Sequence, residues 1–400
     1  MYESIIKSYY KIQPFIKKTP LEFNERLSKL YNANIFLKRE DLQKTRSFKI
    51  RGSLNKILKE TDSGNKKKHI VCASAGNHAQ GVSYVANLLG LKSSIYVPTI
   101  TPPQKLSRIK SFSNEEMELI KYGDNFDECL EEALNFSKSN DFLFIHPYND
   151  YDIIEGQGTI GYEINKDIDP DIILTCIGGG GLISGLLNYY EGNIQIYGAE
   201  PENADSMNQA LINDKPVRIS NFDTFVDGAS VRKIGDLTFN ITRNYLNSKD
   251  IKIINNGLLC NEMIKLYQDD GIITEPAGCL SVAALNLLDK EKIKNKNIVC
   301  LISGGNNDIM RYPEILEKNL IYLKIKHYYI IEFSQKPKEL KNFILNVLGE
   351  NDDITRFEYI KKTNKNYGNV LVGIETKNNH VIESKLFEYN FRFRKINEND

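Results

Sequence analysis

The sequence has no excess of either charge. Lys plus Arg and Asp plus Glu each total 52 over 400 residues, so no long-range field gathers polyanions or anionic lipid. Nucleic acid is not an expected partner, and the short basic run Lys66 to Lys68, beside Gly64 and Asn65, reads as a solvated loop. No apolar run is long enough to span a bilayer, so no membrane partner is expected. The N-terminus MYESIIKSYYKIQPF has early charges, no apolar segment and no small-residue cleavage site, and does not read as a signal peptide. The six cysteines (72, 129, 176, 260, 279 and 300) lack C-x-x-C spacing and mostly lie in apolar stretches such as IVCAS, ILTCI and NIVCLIS. They read as reduced core thiols, while the five scattered histidines lack metal-ligand spacing, so no metal site is expected. The compartment implied is cytoplasmic.

A chain of this length with 41% hydrophobic residues can bury one large core and a smaller one, which sets an expectation of two or three domains. From about residue 35 to 305, short β-rich runs (IFLKRE, HIVCAS, SSIYVP, MELIKYG, FLFIH, DIILTCI, IQIYGAE, NIVCLIS) alternate with amphipathic segments such as FDECLEEALNFSK and LCNEMIKLYQ. Such alternation predicts parallel strands with crossover helices, an α/β class. After Asn306 the texture changes. The connector NNDIMRYPEILEKN leads to strand HYYIIEF, helix KELKNFILNVL and strands ITRFEYI and NVLVGIE, a separate small α+β unit. Pro337 near the helix start and Gly349 just past its end suit those positions.

Three segments are odd as plain structure. In RSFKIRG, Lys49 follows strand IFLKRE and its connector at the start of helix FKIRGSLNKILKE. An amine held at the end of a parallel strand, where ligand crevices form, can make a Schiff base if partly desolvated. ASAGNHAQG, residues 73 to 81, joins strand to helix through small residues that let N–H groups face an anion; a tight turn capped by Ser74 or Asn77 is the alternative. His78 reads as a packed or capping residue. IGGGGLISG, residues 177 to 185, follows an apolar strand, and its four glycines lose much backbone entropy on ordering. A phosphate cradle explains them, with close helix–sheet packing as the structural alternative. The run has neither the lysine of a P-loop nor dinucleotide spacing. LISGGN, 301 to 306, ends the last strand of the large unit and alone is only a turn.

Taken in order, SFKIRG, SAGNHAQG, GGGGL, EPAG and SGGN resemble the tryptophan-synthase-β-like pyridoxal-phosphate enzymes, specifically threonine and serine dehydratases. The resemblance runs from about residue 5 to the end. KREDLQ (38 to 43), EGQGT (155 to 159), FVDGASVRKIGDLTF (225 to 239) and TEPAGCLS (274 to 281) are similar to the biosynthetic threonine dehydratases, and NDDITRFEYIKK (351 to 362) to the ACT-like domain of their shorter members.

The resemblance implies fold type II, two open twisted sheets, in a catalytic domain over residues 1–320. It also implies a smaller subdomain at about 49–148 and an ACT-like regulatory domain over 325–400. Pyridoxal 5'-phosphate is the implied cofactor, its aldehyde on Lys49 and its phosphate in Gly178, Gly179, Gly180, Gly181 and Leu182. Asn77 would bond the ring's phenolic oxygen and Ser303 face the ring nitrogen, which a hydroxyl cannot keep protonated as an aspartate does. Ser74, Ala75, Gly76 and Asn77 would hold the substrate carboxylate. The implied activity is conversion of L-threonine, or L-serine, to the 2-oxo acid and ammonia. The freed Lys49 amine would take the α-proton. Isoleucine or valine as effector and a homo-oligomer, dimer or tetramer, complete the expectation. Phe48, Thr45, Ser53 and Cys279 are mild departures that leave the pocket shape, and so the threonine-to-serine balance, open. A racemase shares the core motifs and needs a second acid on the opposite face; Ser74 matches both, so it does not discriminate.

Overall fold

A computed structural model describes the chain except residues 63, 65–68, 361–364 and 397–400, and the basic run at 66 to 68 lies outside the described residues. The chain divides into two units, Met1–Ile309 and Met310–Asp400.

In the first unit the apolar runs form two sheets. The larger has the order Leu21–Phe23, Asn34–Arg39, Asn297–Ile302, Ile172–Cys176, Gln195–Pro201, Ile251–Ile254. All its pairs are parallel except the first, which is antiparallel. Every pair between residues 34 and 302 is parallel, as the alternation predicts, and the antiparallel strand lies before the alternating region. Leu21–Phe23 is too short to show periodicity and reverses directly onto its neighbour through the helix Glu25–Tyr31. The smaller sheet is fully parallel, in the order Met117–Lys121, Lys92–Val97, His69–Ala73, Leu143–Phe144. Its core includes Ile70, Cys72, Ile95 and Val97, packed with Val82 and Val85 of helix Asn77–Leu89 and Leu54 and Ile57 of helix Lys49–Asp62. All six cysteines are buried and none is in a disulfide.

Helix Tyr151–Asp167 is the common support. A Cβ on its Gly156 would lie 2.6 Å from Gly52 Cα in helix Lys49–Asp62, and one on Gly158 2.7 Å from Gly185 O in helix Gly181–Tyr190. The EGQGT stretch therefore carries one small residue for each neighbour, and both approach to backbone contact.

A buried ion cluster locks the first crossing. Arg51 donates to both oxygens of Glu40 at 2.8 Å and to Glu163 at 2.8 and 2.9 Å, and Lys38 donates to Glu163 at 2.7 Å. Two cations thus neutralise two carboxylates. Thr19 and Thr159 supply further partners, so the cluster is internally satisfied. Burial alone would lower the Arg51 pKa, yet the adjacent carboxylates raise it; Glu163, which burial would raise, is held low by Arg51 and Lys38.

The second unit holds an antiparallel sheet in the order Asp353–Glu358, Tyr367–Glu375, Lys326–Ser334, Arg392–Ile396. Tyr329, Ile331 and Phe333 alternate onto one face, where Phe343 and Ile382 from helices Glu339–Asn346 and Asn379–Glu388 complete the core. The last helix and strand were not legible in the sequence.

Removing one member of the ion cluster leaves buried charge uncompensated. Arg51→Met is expected to destabilise the first unit by about 3–5 kcal/mol, seen as a lower urea midpoint. An unchanged midpoint contradicts the role given to the cluster.

Candidate active site

Four parallel strands deliver the residues singled out in the sequence. Lys49 opens the helix that follows Asn34–Arg39, and Asn77 opens the one that follows His69–Ala73. Gly178 follows Ile172–Cys176, and Ser303 follows Asn297–Ile302. Each lies at a C-terminal strand end, where open α/β sheets form their crevices. Backbone bonds sew these ends together: Phe48 N–H donates to Ser303 O at 3.1 Å, Gly305 N–H to Arg46 O at 2.9 Å and Glu275 N–H to Gly304 O at 3.2 Å.

Lys49 Nζ donates to Pro147 O at 2.9 Å. Burial lowers its pKa to about 8, while Cys176 and Glu275 act weakly the other way. Near pH 7 about one amine in ten is then neutral, against fewer than about one in a thousand for an ordinary lysine. His78, beside it, donates from Nε2 to Ile145 O at 2.9 Å, and burial takes its pKa down to about 3, so it is a packed neutral residue.

Residues Gly178 to Leu182 pass into helix Gly181–Tyr190 with Gly180 at φ +88°, which L side chains rarely adopt. Among the described residues, none accepts from the backbone N–H groups of Gly178, Gly179, Gly180, Gly181 or Leu182. Mostly buried donors at a helix N-terminus call for an anion. The glycines also answer a packing need. A Cβ on Gly179 would sit 2.1 Å from the Tyr148 ring, one on Gly180 2.8 Å from Thr238 Cβ and one on Gly178 3.1 Å from Ala229 Cα. Both readings of the run therefore have a physical basis here. The first obstacle to a side chain at 179 is Tyr148.

Around Ala73–Gly81, Ser74 Oγ accepts from Gly76 N–H at 3.1 Å, the turn contact expected of it. Asn77 does not cap. Its Nδ2 donates to Glu275 Oε1 at 2.6 Å, and its Oδ1 accepts from Asn306 Nδ2 at 2.7 Å. The helix N-terminus at Gly76 has no side-chain cap and stays open to a carboxylate. Ser303 Oγ accepts from Cys176 Sγ at 3.2 Å and donates to Ala277 O at a long 3.4 Å, which leaves its proton weakly held.

Residue by residue, the structure brings Lys49, Asn77, the glycine loop and Ser303 to one place. Sequence reasoning gave no role to Glu275, Cys176, Tyr148 or Asn306. For Glu275 a signal existed: a carboxylate directly before the wholly buried helix Pro276–Ala283 has to be buried with it. Among the described residues no group of three or more His, Cys, Asp or Glu could hold a metal, and no helix is long and apolar enough to cross a membrane.

A family model described as "Pyridoxal-phosphate dependent enzyme" matches residues 12–304, and one described as "C-terminal regulatory domain of Threonine dehydratase" matches 317–400. "L-threonine dehydratase biosynthetic IlvA" of Staphylococcus epidermidis is 45% identical over 384 residues, covering 94% of this chain and 90% of its own. The protein of the same name from Halalkalibacterium halodurans is 43% identical over 410 residues, covering 100% and 97%. Among solved structures, the processed form of threonine deaminase isoform 2 from Solanum lycopersicum superposes with a TM-score of 0.74 at 33% identity, covering 80% of this chain and 87% of that one. Serine racemase from Dictyostelium discoideum gives 0.70 at 29%, covering 77% and 99%.

The depressed amine gives a pH test with a definite sign. Only the neutral form attacks an aldehyde, so the rate at which apoprotein captures pyridoxal phosphate should rise with pH and level off above about 8. A rate still climbing tenfold per pH unit beyond about pH 9.5, as for an ordinary lysine, contradicts the desolvated setting.

Proposed function

The chain belongs to the pyridoxal-phosphate-dependent threonine dehydratases, and from that premise we propose how its residues share the deamination of L-threonine to 2-oxobutanoate and ammonia, the entry step to isoleucine. The observation that carries the reading is the desolvated Lys49 amine at the strand ends that also present the unpaired N–H groups of Gly178 to Leu182. A buried amine and an unsatisfied anion cradle are what an aldehyde with a phosphate tail requires, so the residues fit the group.

When bound, pyridoxal phosphate supplies an electron sink that makes the α-proton of an attached amino acid acidic. Lys49 would hold the aldehyde, and its amine would be the base that takes the α-proton; its low pKa keeps that amine partly neutral near pH 7. The backbone of Gly178, Gly179, Gly180, Gly181 and Leu182 holds the phosphate. Asn77 would hold the ring through its phenolic oxygen, and Ser303 would offer the ring nitrogen a hydroxyl, which cannot keep it protonated as a carboxylate would. Ser74, Ala75, Gly76 and Asn77 bind the substrate carboxylate at an uncapped helix N-terminus.

For the second unit we assign effector binding, with isoleucine or valine as ligand, on the match of residues 317–400 to a regulatory domain. Work as a cytoplasmic homo-oligomer, and acceptance of L-serine beside L-threonine, complete the proposal.

The test is a 2-oxobutanoate assay on wild type and Lys49→Ala, with and without isoleucine. Wild type should turn over threonine and respond to isoleucine. Lys49→Ala should lose at least about four orders of magnitude in kcat, since tether and base go together. Near-normal activity of Lys49→Ala contradicts the assignment of Lys49; an unchanged rate with isoleucine contradicts the effector.

A further inference from the structure

The Asn77 amide sits between two partners of opposite demand. On one side is Glu275 Oε1, 2.6 Å from Nδ2; on the other is Asn306 Nδ2, 2.7 Å from Oδ1. Asn306 is itself oriented by donating to Thr45 O at 2.9 Å. An ionised carboxylate can only accept and an amide nitrogen can only donate, so flipping Asn77 would set oxygen against carboxylate and donor against donor. One orientation of the amide is thereby selected. It leaves the second Nδ2 proton free for an acceptor in the crevice.

The surroundings hold Glu275 in place. Gly304 has no room for a side chain, because a Cβ there would lie 2.3 Å from Glu275 Oε1 and 3.3 Å from Asn77 Nδ2. Glu275 is buried, 7% exposed, and no cation is hydrogen-bonded to it among the described residues.

We propose that Glu275 is a positioning residue that fixes the Asn77 amide toward the cofactor ring, and that it does so most firmly as the carboxylate, because the acid leaves Asn306 alone to oppose a flip. Protonated, Glu275 becomes a donor as well, and either amide orientation finds a partner on that side. This inference rests on the pyridoxal-phosphate reading of the site.

The groups facing Glu275 place the change near neutrality. Burial raises its pKa to about 7, and Asp227 adds to the rise. The bond from Asn77, the Lys105 ammonium and the backbone N–H of Asn306 oppose it. Lys49 and Cys176 face the same space, and Lys105 is itself ion-paired to Asp227. The carboxylate form, and so the fixed amide, prevails as pH rises through this range.

The experiment is an absorbance titration of the bound cofactor in holoenzyme, from about pH 6 to about pH 9, on wild type and Glu275→Gln, with cofactor content and melting temperature recorded for both. Gln is isosteric and keeps an acceptor oxygen that does not titrate. Wild type should show a spectral transition with its midpoint near 7, and Glu275→Gln should lose it while retaining cofactor. A wild-type spectrum flat across the range overturns the proposal even if the variant fails to fold. A transition that survives in Glu275→Gln overturns it as well. A wild-type protein that binds no pyridoxal phosphate overturns the functional reading and this inference together, so the two failures are told apart.

Discussion

Glu163 holds two cations at once, and the geometry of the crevice follows from that contact. Through Arg51 it fixes the first turn of the helix that begins at Lys49, and through Lys38 it ties in the strand that leads there. Its own helix, Tyr151–Asp167, also bears the glycine-loop helix through the Gly158–Gly185 approach. The amine and the glycine loop are therefore referred to one rigid element rather than to each other. Buried ion pairs often add little net stability over an apolar replacement. Their contribution here is registry: a bidentate guanidinium leaves Lys49 little freedom to shift along the crevice.

The same burial that makes the cluster costly to break sets the chemistry next to it. Lys49, His78 and Glu275 are all pushed toward their neutral forms by desolvation, and each is checked by different neighbours. Lys49 has only weak carboxylate and thiol company, so it stays depressed. Glu275 keeps one strong hydrogen bond, from Asn77, and lies close to neutrality. A buried crevice with a partly neutral amine and a set amide suits proton removal from carbon, where an ordinary ammonium or a mobile ring would stall.

Much of this was legible from residue types. The strands of the first unit appear as β-branched runs because both faces of a parallel sheet are buried, and the three unusual loops appear because a lone lysine or a run of small residues at a strand end breaks the packing pattern. What stayed hidden lacked a periodic signal. Leu21–Phe23 and Ile251–Ile254 are three and four residues long, and helix Asn379–Glu388 buries only Ile382 and Leu386. In the site, Tyr148, Cys176 and Asn306 act through neighbours distant in the chain, which spacing along the sequence does not show. The four glycines were visible, but their packing against Tyr148, Thr238 and Ala229 was not.

The account stands on the identity of one tethering amine. Borohydride reduction of the holoenzyme, followed by digestion and peptide mapping, tests it most directly. The expected result is a single reduced pyridoxyl label on the peptide that contains Lys49. A label on another lysine, or on none, contradicts it.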